Sequence, residues 1–398
     1  MSREEQDSRE LNREQNRLRD YRRSLTAHRV RRILTRVLLA GAVICALYFG
    51  IRYYQSRHYS SMEMSPAADY IAADGASYRN LGETIVEYTS NGATCLDTAG
   101  RVLWQCSFEM EEPIVSTAGN VIAFADYNGR SVYVMNTSGE LGHFTTAMDV
   151  HYLSAAENGD VLCVMDSGTS AWIRLYSADG REKAYFVRNI DESGYPLAAA
   201  LSPDGETVCI SNLMMEGASV KTVLSFYDFA HGSEENSYEV SSYAYKDEVV
   251  PVVRFLNDQV CTAVSDARLM YFDVSGNAPV AGMNSMFSEQ VQSLFFGDER
   301  IGLLFMDETG NEMYRLDLYD LHGSRTGSIR FSLNYTDVQL TGGRIFINNA
   351  QYCMIYAEDG REIFSGAFSR SVRVLHASKR LRNLCALTGK ELEEIELH

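Results

Sequence analysis

The sequence contains none of the short motifs that mark the common enzyme families. It has no Walker loop, no G-x-G-x-x-G, no H-E-x-x-H and no G-x-S-x-G. It also has no D-x-D-x-D run, so its Asp-Gly pairs are interpreted as hairpin corners rather than calcium loops. These absences exclude the nucleotide-binding, metalloprotease and hydrolase classes that such motifs define, and the sequence predicts no catalytic residue.

Metal and disulfide frameworks are missing as well. The eight cysteines include no C-x-x-C pair, and Cys45 lies in an apolar run, which leaves an odd number. Most of the others lie in apolar, strand-like stretches, where a free cysteine behaves as a small buried hydrophobe. Cys95 and Cys106 flank one predicted hairpin and are the pair that could form a disulfide. The histidines are scattered over different repeats, at His143, His151, His231, His322 and His376. The sequence therefore predicts no metal site and no cofactor.

Residues 37–51, VLLAGAVICALYFGI, form an apolar stretch without charge between Arg36 and Arg52. With its flanks, a helix over residues 33–54 reaches about 33 Å, enough to cross the hydrocarbon core of a bilayer. A cleaved signal peptide is one alternative, but 36 preceding residues are too many for its n-region and the bulky exit offers no cleavage site. A buried helix of a soluble domain is the other, and the lack of a polar stripe opposes it. We predict one transmembrane helix.

Charge predicts the orientation of this helix. Residues 1–36 hold eleven arginines and six acidic residues, whereas the stretch after the apolar run has only Arg52 and Arg57. The positive-inside rule then predicts a single-pass cell-membrane protein with a cytoplasmic N-terminus and an extracellular C-terminal domain. The whole chain carries a net charge of −17 although its N-terminus is basic, so the C-terminal domain is strongly acidic. Such a domain repels nucleic acid, which excludes it as a partner.

These features divide the chain into four segments. Residues 1–32 are an arginine-rich cytoplasmic head with helical propensity and a weak heptad of leucines. Residues 33–54 are the transmembrane helix, and residues 55–76, rich in Ser, Tyr and Ala, are a juxtamembrane linker. Residues 77–398 are the extracellular domain.

One unit recurs through residues 77–398. Its first mark is a strand, a small turn with glycine and a second strand, as in CLDTAGRVLWQCSF. The turn glycines, at spacings of 37–52 residues, are Gly100, Gly139, Gly180, Gly232, Gly276, Gly323 and Gly360. Between them lies a second pair of apolar strands joined by a polar turn, as in YLSAAENGDVLCVMD. Two hairpins at this period are typical of the four-stranded blades of a β-propeller, which stack around an axis because one sheet alone cannot bury both faces.

The length fits seven or eight blades. ETIVEYTS precedes the first marked hairpin and ELEEIEL follows the last, so there is more strand than seven blades need. We predict an all-β fold of eight blades, with seven as the alternative, in which an N-terminal strand completes the last blade and ties the termini together. Two packed sandwiches would not require the unit to recur up to the C-terminus.

The first repeat, LDTAGRVLWQ, resembles the D-x-x-G-x-x-x-W repeat of pyrroloquinoline-quinone-type propellers, and SPDGETVCIS resembles WD40-like strand pairs. The layout of basic head, single anchor and propeller resembles a family of membrane-anchored propeller proteins of Gram-positive anaerobic bacteria whose function is not established. Quinoproteins carry a tryptophan in most repeats, whereas this chain has only Trp104 and Trp172. The resemblance therefore implies the fold and no redox chemistry.

The longest repeat, between Gly180 and Gly232, contains the candidate binding residues. Leu213, Met214 and Met215 would form an adaptable apolar contact, or else they finish a strand; residues 238–245, rich in Tyr and Ser, are a second candidate. We expect a scaffold or sensor without catalysis, held to the lipid bilayer by one helix, that binds a protein or cell-envelope component. The alternative is a propeller enzyme acting on a glycan or small molecule, with carboxylates in the central channel. A relay of binding through the helix to the head is a third hypothesis.

Overall fold

The structure is a computed structural model that describes residues 36, 39, 41–43, 45–46, 58–231, 238–297, 299–307, 310, 312–378 and 384–398. It divides into two compact units, Met1–His58 and Tyr59–His398. In the first unit the described positions between 36 and 46 are helical and exposed. Most of the predicted membrane helix at residues 33–54, and all of the head at residues 1–32, lie outside the described residues. Within the described part of the chain, no helix combines the length and the apolarity needed to cross a membrane.

The second unit is built from antiparallel sheets of four strands, which we call blades 1 to 8. Blade 1 holds β2 (Ser77–Leu81), β3 (Thr84–Thr89), β4 (Gly92–Asp97) and β5 (Val102–Ser107); blade 2 holds β6 (Pro113–Ala118), β7 (Val121–Asp126), β8 (Ser131–Asn136) and β9 (Gly139–Thr145). Blade 3 holds β10 (Val150–Ala155), β11 (Val161–Asp166), β12 (Ser170–Tyr176) and β13 (Glu182–Asn189); blade 4 holds β14 (Tyr195–Leu201), β15 (Thr207–Glu216), β16 (Ser219–Asp228) and β17 (Glu239–Lys246).

The remaining blades repeat the pattern. Blade 5 holds β18 (Val252–Asn257), β19 (Val260–Val264), β20 (Arg268–Asp273) and β21 (Val280–Met286); blade 6 holds β22 (Val291–Phe296), β23 (Ile301–Met306), β24 (Tyr314–Tyr319) and β25 (Arg325–Phe331). Blade 7 holds β26 (Asp337–Thr341), β27 (Arg344–Asn348), β28 (Tyr352–Ala357) and β29 (Glu362–Ala367). Blade 8 holds β30 (Val374–His376), β31 (Leu384–Leu387), β32 (Glu391–Leu397) and β1 (Met62–Asp69).

The blades form a ring around a central channel. The first strands of neighbouring blades contact one another, as β6 does with β10, β10 with β14, and β14 with β18. These strands are therefore the inner wall, and the fourth strand of each blade is the outer edge. The predicted eight-bladed β-propeller is confirmed.

The core of the ring lies between blades. One apolar cluster joins Cys209 and Phe226 of blade 4 to Phe255 and Phe272 of blade 5. Because each blade packs against a neighbour on both faces, its second strand is buried along most of its length, as in VLCVM of β11 and IGLLF of β23. These strands read as continuous apolar runs for that reason, and the polar-apolar alternation of a one-sided sheet is absent from them.

The ring is closed by β1, which pairs antiparallel with the C-terminal strand β32 and leaves blade 8 with strands from both ends of the unit. The prediction that an N-terminal strand completes the last blade is confirmed. One expectation is corrected: residues 62–69, predicted to be part of the juxtamembrane linker, are this strand. The composition of residues 55–76 is misleading because Ser, Pro and Ala are typical of linkers. The outer strand of a blade tolerates the same residues.

Some of the turn glycines have a packing role. Five of the predicted seven have a positive φ, namely Gly100, Gly139, Gly180, Gly323 and Gly360, whereas Gly276 does not and Gly232 lies outside the described residues. A Cβ on Gly180 would lie 2.4 Å from the Cβ of Phe144, in the outer strand of the preceding blade. The turn between the third and fourth strands of blade 3 thus packs closely against blade 2. Only glycine fits both the backbone angle and this contact.

Trp104, the last residue of the D-x-x-G-x-x-x-W repeat, also joins two blades. Its indole Nε1–H, on the outer strand of blade 1, donates a hydrogen bond of 2.8 Å to the carbonyl of Asn136 in blade 2. The indole ring is buried. The motif therefore fastens one blade to the next, which agrees with the structural role that the resemblance implied.

Candidate partner-binding surface

The ring has two distinct faces. Because neighbouring strands of a blade are antiparallel, the turn between its second and third strands lies on the same side as the connection to the next blade. We call this side the upper face. The other two turns of each blade lie on the lower face.

Blade 4 rises above the rest of the upper face. Its β15 and β16 have ten residues each, whereas β11 and β12 of blade 3 have six and seven. The extra length of about four residues corresponds to roughly 13 Å of strand. A two-residue turn, with Gly217 at φ +67°, joins Glu216 to Ser219 at the tip.

The predicted binding residues lie in this hairpin. Leu213, Met214 and Met215 all belong to β15, so the expectation that they finish a strand is confirmed. Leu213 and Met214 are half-buried, and Met215 is 70% exposed. A Cβ on Gly194 would come within 2.6 Å of the Met214 Cγ, so the connection from blade 3 holds Met214 against the hairpin. Met215 is the member of the three that is free to meet a partner.

The connection that supports the hairpin is itself ordered by local hydrogen bonds. It contains a helical turn, Ile190–Ser193, whose first N–H groups need acceptors. The Asn189 Oδ1 accepts from the Asp191 amide at 3.0 Å, and the Ile190 amide donates to the Thr169 carbonyl of blade 3. The second candidate segment, residues 238–245, is largely strand β17 at the outer edge of blade 4.

Exposed methionines extend this surface across two further blades. In the described chain five methionines are exposed, and all of them belong to blades 4, 5 and 6: Met215, Met283, Met286, Met306 and Met313. Met286 is the last residue of β21 and 74% exposed, Met306 is the last residue of β23, and Met313 precedes β24. These three and Met215 therefore lie on the upper face. We call Met215, Met286, Met306 and Met313 the methionine surface.

Several charged groups near the methionine surface are paired with one another. The Lys221 Nζ lies 2.9 Å from the Glu216 Oε1 in the blade 4 hairpin, Arg268 pairs with the buried Glu248, and the Arg315 guanidinium lies 2.9 Å from Glu289. An ion pair satisfied within the chain offers little to a ligand. The thioethers beside these ion pairs are flexible and polarisable, and they adapt to irregular apolar partners.

The inner wall of blades 7, 8 and 1 is polar, but its polar groups bind each other. The Asn80 Nδ2 donates to the Gln339 Oε1 at 2.8 Å, and the His376 Nδ1 lies 3.0 Å from the Asn80 Oδ1. His376 is fully buried, and this burial lowers its pKa, so the imidazole is neutral and donates through Nδ1. The network fastens the closing blades together. It is not the cluster of free carboxylates that a channel enzyme would present.

The described residues contain no metal-binding group, and most of their cysteines are buried. No three His, Cys, Asp or Glu side chains are grouped to hold a metal ion there. Cys95 and Cys106 are both free thiols and do not bridge, since Cys95 faces Trp104 and Cys106 faces Ala93 across the strands. Burial raises the pKa of Cys163, Cys353 and Cys385 to about 12, which keeps these thiols protonated and unreactive.

Fold and surface together define a closed eight-bladed β-propeller with exposed methionines on the upper face of blades 4, 5 and 6. The chain belongs to DUF5711, a family of unknown function, whose model matches residues 55–397. That span begins upstream of β1, so the closing strand is part of the family's domain. No sequence among the curated proteins matches the chain.

Several solved structures are similar to the chain. BamB from Moraxella catarrhalis shares 13% identity over 84% of this chain and 99% of its own, with a TM-score of 0.47. Hsv2 from Kluyveromyces lactis shares 8% identity over 76% of this chain and 99% of its own, with a TM-score of 0.47. Raptor from Chaetomium thermophilum shares 10% identity over 86% of this chain and 29% of its own, with a TM-score of 0.45. Likeness at this level says nothing of what this chain binds.

Proposed function

We propose that this protein is a single-pass membrane protein whose extracellular propeller binds a protein partner through the methionine surface and serves as a scaffold or sensor. The observation that carries the binding role is the confinement of every exposed methionine of the described chain to blades 4, 5 and 6. The anchor rests on the uncharged run at residues 37–51, and the orientation rests on the arginines that precede it.

The chemistry of the surface favours a protein partner over other occupants. The acidic balance of 53 acidic against 36 basic residues disfavours nucleic acid and anionic lipid headgroups. Thioethers offer no directed hydrogen bonds of the kind that select a sugar. They do adapt to the uneven apolar side chains of a protein, as they do at surfaces that bind several partners.

A comparison of matched variants tests the binding role. Cells that express the full chain are treated with a membrane-impermeant cross-linker, and captured proteins are quantified for wild type, for Met215→Gln/Met286→Gln/Met306→Gln, and for a control. The control, Val102→Thr/Leu103→Gln/Leu141→Gln, removes exposed apolar groups from blades 1 and 2. We expect a captured protein that the methionine variant loses by about tenfold and the control retains. Equal capture by both variants would reject the methionine surface as the docking site.

Protease treatment of intact cells tests the orientation separately. We expect an added protease to reach the propeller while the head at residues 1–32 stays protected. Protection of the propeller in intact cells, with cleavage only after lysis, would contradict the extracellular location and leave the binding test interpretable by itself.

A further inference from the structure

Arg254 is a cation on the inner wall of the ring. It is the third residue of β18, the first strand of blade 5, and its side chain is exposed to solvent. Its guanidinium carbon lies 4.7 Å from the centre of the Phe296 ring in blade 6, within range of a cation–π contact. The side chain is therefore held across the inner end of the groove between blades 5 and 6.

No described residue of the ring forms an ion pair or a side-chain hydrogen bond with this guanidinium. That is unexpected in a chain of 53 acidic and 36 basic residues, where most described arginines have a carboxylate within 4 Å. Desolvation by the surrounding protein lowers the pKa of Arg254, although water reaches the side chain. Solvent access combined with desolvation is what a side chain in a narrow, protein-walled channel experiences. A charge in that position is costly unless an anion compensates it.

The inner strands beside β18 bring no charged side chain to this cation. In blade 4, β14 contains three consecutive alanines, Ala198, Ala199 and Ala200, all buried. Ala198 and Ala200 pack with Val253 and Phe255, the neighbours of Arg254 in β18. Neither β14 nor β22, the inner strand of blade 6, contains a carboxylate that could pair with Arg254.

We propose that Arg254 binds a carboxylate group in the central channel, with Phe296 holding the guanidinium. The planar guanidinium matches the two oxygens of a carboxylate in a bidentate pair. This site is distinct from the methionine surface and does not depend on the proposed protein partner. The carboxylate belongs either to a small free acid or to an acidic segment of a polypeptide.

Ligand-dependent thermal unfolding of the full chain, purified in a mild detergent, tests the site. The probes are succinate, a tetraglutamate peptide and inorganic phosphate, all at one ionic strength. We expect succinate or the peptide to raise the Tm of wild type by about 2–5 °C when present well above its Kd. Succinate would assign a small free acid, and the peptide alone would assign an acidic segment. No shift with either, or a shift with phosphate alone, would overturn the proposal.

Three variants show whether the shift comes from Arg254. Arg254→Gln keeps hydrogen-bonding capacity without charge, and we expect it to weaken binding at least about tenfold. Arg254→Lys keeps the charge but lacks the two parallel N–H donors of the guanidinium, so we expect it to bind more weakly than wild type. This variant should fold even if the glutamine variant does not. Arg181→Gln removes an exposed arginine from a turn on the lower face of blade 3 and serves as the control. A shift that survives both Arg254 substitutions, or that Arg181→Gln abolishes equally, would refute the assignment.

Discussion

Gly100 packs directly on Ala68: a Cβ atom on Gly100 would lie 2.3 Å from the Cβ of Ala68. Gly100 belongs to the turn between β4 and β5 of blade 1, and Ala68 belongs to β1, the strand that completes blade 8. Gly180 makes the same contact with Phe144 between blades 3 and 2. The junction between blades 8 and 1 therefore repeats the ordinary contact between neighbouring blades. It does so although β1, which carries Ala68, precedes blade 1 in the sequence and joins the last blade.

Substitution of Gly100 by alanine should destabilise the closure more than backbone strain alone explains. Gly75 provides the matched control, because its φ of +71° is close to the +79° of Gly100 but no atom lies within 4 Å of an added Cβ. We expect Gly75→Ala to cost about 1 kcal/mol of unfolding free energy, as for other L-residues in the left-handed region. Gly100→Ala should cost about 1–3 kcal/mol more, because Ala68 sits on a paired strand and cannot move freely. Chemical denaturation measures both, and equal costs would show that β1 yields at this point.

The ring could be predicted from the sequence because glycine recurs in the turns that contact the preceding blade. At three of the turns between third and fourth strands, those of Gly100, Gly180 and Gly323, a Cβ on the glycine would lie within 3.0 Å of the preceding blade. The second strands are buried on both faces, so they appear as apolar runs between the glycines. Local chemistry and global architecture agree at these positions, which is why eight blades could be predicted.

Other features depend on three-dimensional proximity that no local pattern records. Residues 62–69 carry Ser, Pro and Ala, and what makes them a strand is the free edge of β32, more than 300 residues away. Met286 and Met306 are far from Met215 in the sequence, and the face that the three share follows only once every strand is assigned its direction in a blade. Arg254 is one arginine among many until the alanines of β14 are placed beside it.

Removal of β1 should open the ring. Deleting residues 62–69 leaves the edge of β32 unpaired, and an exposed edge with Leu392 and Ile395 invites pairing with another chain. We expect a lower Tm and larger species than wild type in light scattering, whereas deleting residues 2–30 should leave the unfolding transition of the ring unchanged. An unaltered Tm without β1 would mean that three strands suffice for blade 8.

Thiol labelling should distinguish the cysteines by burial. Six of the ring cysteines are buried and only Cys106 is half-buried, so Cys106 should react with iodoacetamide at pH 8 well before Cys163, Cys353 or Cys385. Burial raises the pKa of those three to about 12, which leaves almost no thiolate to react. Mass spectrometry after denaturation without reductant should find every cysteine alkylated. Protection of Cys95 and Cys106 together would reveal the disulfide that the free thiols of the structure exclude.

His376 should make the stability of the closing blades depend on pH. Its side chain is fully buried, and burial lowers its pKa below the ordinary 6.5, against a smaller opposing effect of Glu83. Below pH 6.5 the unfolded chain therefore takes up a proton that the folded chain does not, so stability is complete above pH 6.5 and is lost as the pH falls toward the lowered pKa.

The variant His376→Gln isolates this contribution, because an amide can still donate to the Asn80 Oδ1 but does not titrate. Urea denaturation of both proteins between pH 5 and pH 8 should give a constant difference above pH 7. Below pH 6.5 wild type should lose stability faster than the variant, by at most about 1.4 kcal/mol per pH unit. Since all other titrating groups are common to the two proteins, their contributions cancel in the difference. A difference that stays constant down to pH 5 would mean that His376 takes up its proton as readily in the folded ring as in the unfolded chain.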